Sequence, residues 1–116
     1  MHHAVVGFQI TAANLANTQR FYEQAFGWSF EPGPHDNVMD TDAHGQTPGS
    51  IIGRGDIIPD YVSLFIASED LDASIQSCVE AGGELIRPTF ALPNGDQLAI
   101  VADPEGHVLT LIKRSG

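Results

Sequence analysis

One cysteine, Cys78, stands in 116 residues, so no intrachain disulfide can form and the thiol content does not point to an oxidising compartment. Cations are equally scarce. Five Lys and Arg against fifteen Asp and Glu leave a formal charge of −10, and a field of that sign repels nucleic-acid phosphates and anionic lipid. No apolar run approaches the roughly 18 residues of a membrane span, and the start lacks a basic segment followed by a sustained apolar stretch. A cytoplasmic protein with no nucleic-acid partner and no membrane partner is expected, whose acidic field would concentrate a cationic guest. A nucleophile elbow and paired catalytic carboxylates are also missing, and the Gly45 to Gly53 stretch lacks the Gly-Lys-Ser/Thr ending of a phosphate loop.

What is present is written twice. An offset of 56 aligns Ile10 with Ile66, Leu15 with Leu71, Ala25 with Ala81, Gly27 with Gly83 and Pro32 with Pro88. Similar residues fill the intervals, Phe8 falling on Leu64 and Thr18 on Ser74. The chain therefore reads as one duplicated module, about 5–56 and about 61–113, within a single domain of residues 1–116.

In the first copy, Val5 to Thr11 is rich in β-branched and aromatic residues and predicts a strand with Val6, Phe8 and Ile10 on one face and Gly7, Gln9 and Thr11 on the other. Asn14 can cap a helix over about 15–26 whose apolar residues are Leu15, Tyr22, Ala25 and Phe26, with Gly27 at its end. Extended pieces follow at Trp28 to Glu31, Asn37 to Thr41 and Ser50 to Gly53, divided by turn signals. The second copy repeats this order: Tyr61 to Ala67, a helix from Leu71 to Ala81 capped by Asp70, then Glu84 to Pro88, Leu98 to Ala102 and Val108 to Lys113. The fold class is α+β: two tandem βαβββ modules forming a curved eight-stranded mixed sheet around a cleft, with helices on the outer face. Val6, Phe8, Ile10 and Val62, Leu64, Ile66 are the expected acceptors of the helical stripes, which leaves the opposite strand faces to line the cleft.

The ordered set Phe8-Gln9-Ile10, Arg20-Phe21-Tyr22-Glu23, Phe26-Gly27-Trp28, Glu69-Asp70-Leu71-Asp72, Ala81-Gly82-Gly83 and Asp103-Pro104-Glu105-Gly106-His107 resembles the vicinal oxygen chelate superfamily, which includes glyoxalase I, bleomycin-resistance proteins and extradiol dioxygenases. The resemblance spans Val5 to Lys113. It implies paired βαβββ modules, a homodimer, and in the enzymes a divalent metal held by His, Gln or Glu from the first and last strands of each module. Carried over residue by residue, those positions fall on Gly7, Ser63 and Thr110, with a fourth in the strand ending near Gly53, where Ile51, Ile52, Gly53 and Arg54 offer no ligand. The expected metal ligands are therefore none, and no cofactor is expected. Gln9 is a weak donor one pleat from Gly7, and His3 lies roughly 13 Å along the strand from it. His35 and His44 sit in an acidic connection and read as solvated loop residues, His107 as a turn residue, and Cys78 as inert core.

Three functions are open at this point. The favoured one is a metal-independent small-molecule binder of the bleomycin-resistance type, with a cationic guest in view. The alternatives are a metal-dependent lyase, isomerase or dioxygenase, and a non-catalytic interaction module. Candidate ligand-binding residues are Gln9, Ser63, Phe65, Thr110 and Ile112, which share strand phase with the absent ligands, together with Arg54 as an anion anchor and Trp28, Met39 and Tyr61 as aromatic or soft contacts.

Overall fold

The computed structural model describes residues 3–33, 37–42, 47–53 and 61–115. It divides into two compact units, Gly7–Val62 and Ser63–Gly116 with Met1–Val6. In chain order the elements are β1 (Val5–Ala12), α1 (Leu15–Phe26), β2 (Glu31–Pro32), β3 (Val38–Thr41), β4 (Gly49–Gly53), β5 (Val62–Ala67), α2 (Leu71–Glu80), β6 (Glu84–Ala91), β7 (Gln97–Ala102) and β8 (Val108–Lys113). Eight strands in mixed parallel and antiparallel pairs with two helices give the expected α+β class, as βαβββ written twice.

In the first unit the strands lie in the order β2-β3-β4-β1, with β1 and β4 parallel and the other pairs antiparallel. Asn14 is extended and its side chain accepts from the Asn17 N–H at 3.0 Å, which satisfies a donor that α1 would otherwise leave orphaned. Gly27 ends the helix in the left-handed region at φ 71°, its N–H donating to the Glu23 carbonyl. Phe8, Leu15, Tyr22 and Phe30 pack on buried Ile10, Ala12 and Ile51, so the face of β1 that carries Phe8 and Ile10 is the one α1 covers.

The second unit repeats the plan in the order β5-β8-β7-β6, with β5 and β8 parallel. Asp70 caps α2 through the Ala73 N–H at 3.0 Å. Leu71, Ala99, Val101 and Leu111 form the core, with Ile66, Ile75, Cys78 and Leu109 packed against it. Cys78 is half-buried within that apolar contact. Among the described residues, no helix is long and apolar enough to cross a membrane.

Four details depart from the sequence-based expectations. Val62 is 67% exposed and Leu64 44% exposed, so only Ile66 of the β5 triplet receives a helix. The reason is placement, since α2 lies over β6, β7 and β8. Phe26 is 62% exposed and rests on Phe21 and Tyr22 at the helix end instead of filling a core stripe. The extended piece at Trp28 to Glu31 pairs only at Glu31–Pro32, while Trp28 stacks on Tyr22 at 4.9 Å and leans on Phe8. Strand β6 runs on to Ala91 through Pro88, which the edge position and two register shifts permit, because an edge strand has a side with no ladder to feed.

Gly83 shows how tightly the second unit closes. A Cβ there would lie 2.5 Å from the Ala102 carbonyl oxygen and 3.0 Å from that of Cys78, both backbone atoms that cannot swing aside. Gly83→Ala is therefore expected to destabilise by about 1–3 kcal/mol through overpacking. Gly27→Ala meets nothing within 4 Å and carries only the left-handed backbone penalty, about 1 kcal/mol. Urea unfolding of the two variants checks the order, and equal losses would show that the close approach at Gly83 relaxes.

Candidate ligand-binding face

A strand's alternate residues point to opposite faces, so the helices define the remaining surface by subtraction. With Phe8, Ile10 and Ile51 turned to α1, Gly7, Gln9 and Thr11 of β1 and Ser50 and Ile52 of β4 lie on the far face. In the second unit Ala99, Val101 and Leu111 face α2, so Ser63, Phe65, Thr110, Ile112, Leu98 and Ile100 lie on the far face there.

Within the second unit, the two positions that the resemblance assigns to metal ligands meet. Ser63 Oγ and Thr110 Oγ1 are 3.0 Å apart, with Ser63 fully buried and Thr110 1% exposed. Their hydroxyls satisfy one another, which removes the cost of burying each alone. In the first unit Gly7 offers no donor atom. The fourth position is settled by register and corrects the expectation of Ile51 to Arg54. Phe65 opposes Thr110 in the parallel β5–β8 pair, and Gln9, its equivalent in the repeat, opposes Ser50 in the parallel β1–β4 pair. The counterpart of Thr110 is therefore Ser50.

A glycine and three neutral alcohols do not fit the divalent cation of the superfamily's enzymes, whose chemistry needs imidazole nitrogen or carboxylate oxygen at about 2.0–2.2 Å. Two of the alcohols are committed to each other. Among the described residues no group of three or more His, Cys, Asp and Glu stands together as a metal would require.

The remaining candidates are distributed unevenly. Phe65 and Ile112 share the far face with Ser63 and Thr110, Phe65 directly opposite Thr110 and Ile112 in register with Leu98. Gln9 is 7% exposed and faces Ser50, which is 5% exposed. Met39 pairs with Ile51, and Trp28 belongs to the aromatic group of Phe8, Tyr22 and Phe30; both lie on the helix side of their sheet. Tyr61 is tied to β1, its N–H donating to Thr11 Oγ1 at 2.8 Å and its carbonyl accepting from the Thr11 N–H at 3.0 Å. Arg54, His2, His35 and His44 lie outside the described residues.

Residue types alone did not single out Ser50, Asp40 or Glu31. Asp40 opposes Ser50 across β3–β4, and Glu31 opposes Asp40 across β2–β3, so Gln9, Ser50, Asp40 and Glu31 stand in one row across the first unit's far face. The signal that would have found them is strand register, which the shorter β2–β3 hairpin conceals, Glu31 pairing with Asp40 where its repeat Arg87 pairs with Ile100.

His107 takes the turn role expected of it. Its backbone N–H donates to Asp103 Oδ1 at 2.9 Å and its Nδ1 lies 2.9 Å from Asp103 Oδ2. These contacts, the backbone donor first and the imidazole second, hold the Asp103 carboxyl below its ordinary value of 3.8. A carboxyl lowered by folding adds stability above its unfolded midpoint and loses it as pH falls through the folded one. His107→Ala keeps the backbone donor, so an NMR titration is expected to show the Asp103 midpoint rising only part of the way; a full return would make the imidazole the main cause.

The hydroxyl pair yields a sharper test. Ser63→Ala or Thr110→Val strands one buried hydroxyl and is expected to destabilise by about 1–3 kcal/mol. The double variant leaves neither hydroxyl and should cost less than the sum of the singles, as a double-mutant cycle in urea reads. Additive losses would mean that the two groups do not depend on each other.

Comparison with known proteins agrees with this geometry. Residues 6–112 match the family model described as a glyoxalase-like domain. A Mycobacterium bovis protein whose name proposes a glyoxylase, CFP32, is 25% identical over 114 residues, covering 91% of this chain and 43% of its own length. The chain thus spans less than half the length of that curated relative. A glyoxylase-like domain-containing protein of Didymella fabae is 25% identical over 134 residues and matches nearly end to end, 100% of this chain and 98% of the relative. Among solved structures, the hypothetical protein BH1468 of Bacillus halodurans superposes with a TM-score of 0.71 at 13% identity, covering 100% of this chain and 97% of that one. The methylmalonyl-CoA epimerase of Streptomyces coelicolor gives 0.64 at 14% identity, covering 99% and 100%. Those two likenesses speak to the fold alone. With βαβββ modules in tandem and a family match over nearly its whole length, the chain belongs to the glyoxalase-like domain family, within the vicinal oxygen chelate superfamily.

Proposed function

We propose that this glyoxalase-like chain binds a small organic molecule on the sheet face turned away from its helices and does so without a divalent metal. The observation that carries the reading is the Ser63–Thr110 hydrogen bond, with Gly7 and Ser50 at the corresponding places of the other unit. Where a metal enzyme would converge charged or nitrogen donors to polarise a substrate oxygen, this chain has neutral groups suited to hydrogen bonding and shape.

On the far face of the second unit Phe65 and Ile112 lie beside the Ser63–Thr110 pair, and on that of the first unit Gln9 lies opposite Ser50. Within a unit, apolar residues with a few placed polar groups are the usual composition of a small-molecule site. The reading assigns recognition and no bond-making step. A guest reaching the Ser63 and Thr110 hydroxyls has to displace their mutual bond, so Gln9 and Ser50 are the more available polar contacts.

Two measurements test this. Elemental analysis of protein purified without chelator is expected to show no stoichiometric Ni, Zn, Fe or Mn. A fragment library screened by ¹H–¹⁵N NMR is expected to give saturable shifts at Gln9, Ser50 and Phe65. A stoichiometric transition metal whose removal perturbs residues 7, 63 and 110 would overturn the metal-free reading; a library that leaves the far face unshifted would overturn binding itself.

A further inference from the structure

We infer that Arg87 holds a carboxylate of the guest on the far face of the second unit, with the guest's apolar part laid towards Phe65; the inference rests on the binding reading and gives it a ligand class. Register builds the site. Phe65 opposes Thr110, Thr110 opposes Ile100 and Ile100 opposes Arg87 on successive strands, and in the next row Ile112 opposes Leu98 and Leu98 opposes Phe90. Residues directly opposite each other share a face, so with Ala99, Val101 and Leu111 turned to α2 both rows lie on the side away from that helix. Every member belongs to the unit that contains Ser63–Gly116.

Accessibility sorts these residues. Thr110, Ile100, Leu98 and Ile112 are buried and make a fixed floor, while Phe65, Arg87 and Phe90 are half-buried and keep open surface. The guanidinium carbon of Arg87 lies 3.7 Å from the centroid of the Phe90 ring. Stacking of this kind uses the flat face of the guanidinium and leaves its N–H edge able to meet a planar pair of oxygens. Among the described residues that ring is its one partner, and no carboxylate pairs with it, although the chain carries fifteen Asp and Glu against five Lys and Arg. Glu84, which shares the face through its pairing with Ala102, makes no ion pair with it either.

The chemistry of the guest follows from the donor. A guanidinium has five N–H donors and no acceptor, and its fork matches a carboxylate through two parallel hydrogen bonds. Half-buried, it has lost part of its water, and oxygens brought by a guest restore those bonds. The net charge of −10 is spread over the whole surface, and at physiological salt exposed charges beyond about 8 Å are largely screened, so the group in contact decides the sign. What survives of that field repels a dianion more than a monoanion, which favours a carboxylate over a phosphate monoester. Strand β6 is at the edge of the sheet, so the charge is met at the rim, where desolvation is least costly. From there the row crosses three strand spacings, roughly 14 Å, to Phe65.

The test uses four probes with the same six-carbon chain and different heads: hexanoate, hexyl phosphate, 1-hexanol and hexylamine. Each is titrated into the full chain by ¹H–¹⁵N NMR. Hexanoate is expected to give saturable shifts at the Arg87 side-chain N–H and at the Phe65 and Ile100 amides, with a Kd at least tenfold below that of 1-hexanol. Arg87→Gln is expected to raise the hexanoate Kd at least tenfold. Arg87→Lys should raise it by a smaller factor, since the charge stays and the fork is lost, and Glu84→Gln should lower it. Arg114→Gln removes a cation of the tail and should leave it unchanged, the spectra themselves showing that each variant is folded.

If 1-hexanol, hexylamine or hexyl phosphate binds as tightly as hexanoate, or if Arg87→Gln costs no more than Arg114→Gln, the carboxylate assignment is overturned. If none of the four binds, it is overturned as well, and the fragment screen then separates the two ideas: hits on the far face keep small-molecule binding, and none removes both.

Discussion

Neighbouring side chains on a strand leave the sheet on opposite faces, and in both halves of this chain a helix claims one of the two. That constraint determines what every strand residue can do. Phe8, Ile10 and Ile51 are committed to α1, and Ala99, Val101 and Leu111 to α2. A slip of one residue in either parallel pair would put Gln9 or Thr110 against a helix and Ile10 or Leu111 on the far face, exchanging an apolar contact for an unpaired polar one. Register is consequently strongly specified, and the polar residues on the far face stand where they do because the apolar ones cannot be elsewhere.

Much of this was legible in the sequence, for a definite reason. Asn14, Gly27 and Asp70 act through backbone atoms a few residues away, so their signals are local, and the helices begin at Leu15 and Leu71 as the caps imply. The alternation around Phe8, Gln9 and Ile10 is equally local. What failed depended on contacts distant along the chain. Val62 and Leu64 have the strand phase of core residues, yet no helix lies above them, because the path of α2 over β6, β7 and β8 is decided by packing. Trp28 reads as a strand residue by propensity, but stacking on Tyr22 draws it away from the sheet, a tertiary override of a weak local preference.

The site divides in the same way. That Gly7, Ser63 and Thr110 offer no imidazole or carboxylate is visible in the residue types. Whether the two alcohols touch is not, since 47 residues separate them and only the β5–β8 pairing brings them to 3.0 Å. Ser50 was hidden because the hairpins differ in span: Glu31 pairs with Asp40, whereas its repeat Arg87 pairs with Ile100, so the offset of 56 no longer aligns the two copies beyond β2 and β6. Once Gln9 is matched to Phe65 by the repeat, however, the two parallel pairings make Ser50 the equivalent of Thr110 without further assumption.

The two units then use the same positions differently, and the difference is one of hydrogen-bond arithmetic. A hydroxyl can both donate and accept, so Ser63 and Thr110 close on each other and need no third party. Gly7 has nothing to offer Ser50, and the neighbouring Gln9 opposes Ser50 without a bond between their side chains among the described residues. The second unit's hydroxyls are therefore self-contained. With carboxylates at the open end of the row and neutral groups at its buried end, charge is kept where water can still reach it. Moving a carboxylate to position 9 or 50 would require its desolvation, a penalty that an amide and a hydroxyl avoid.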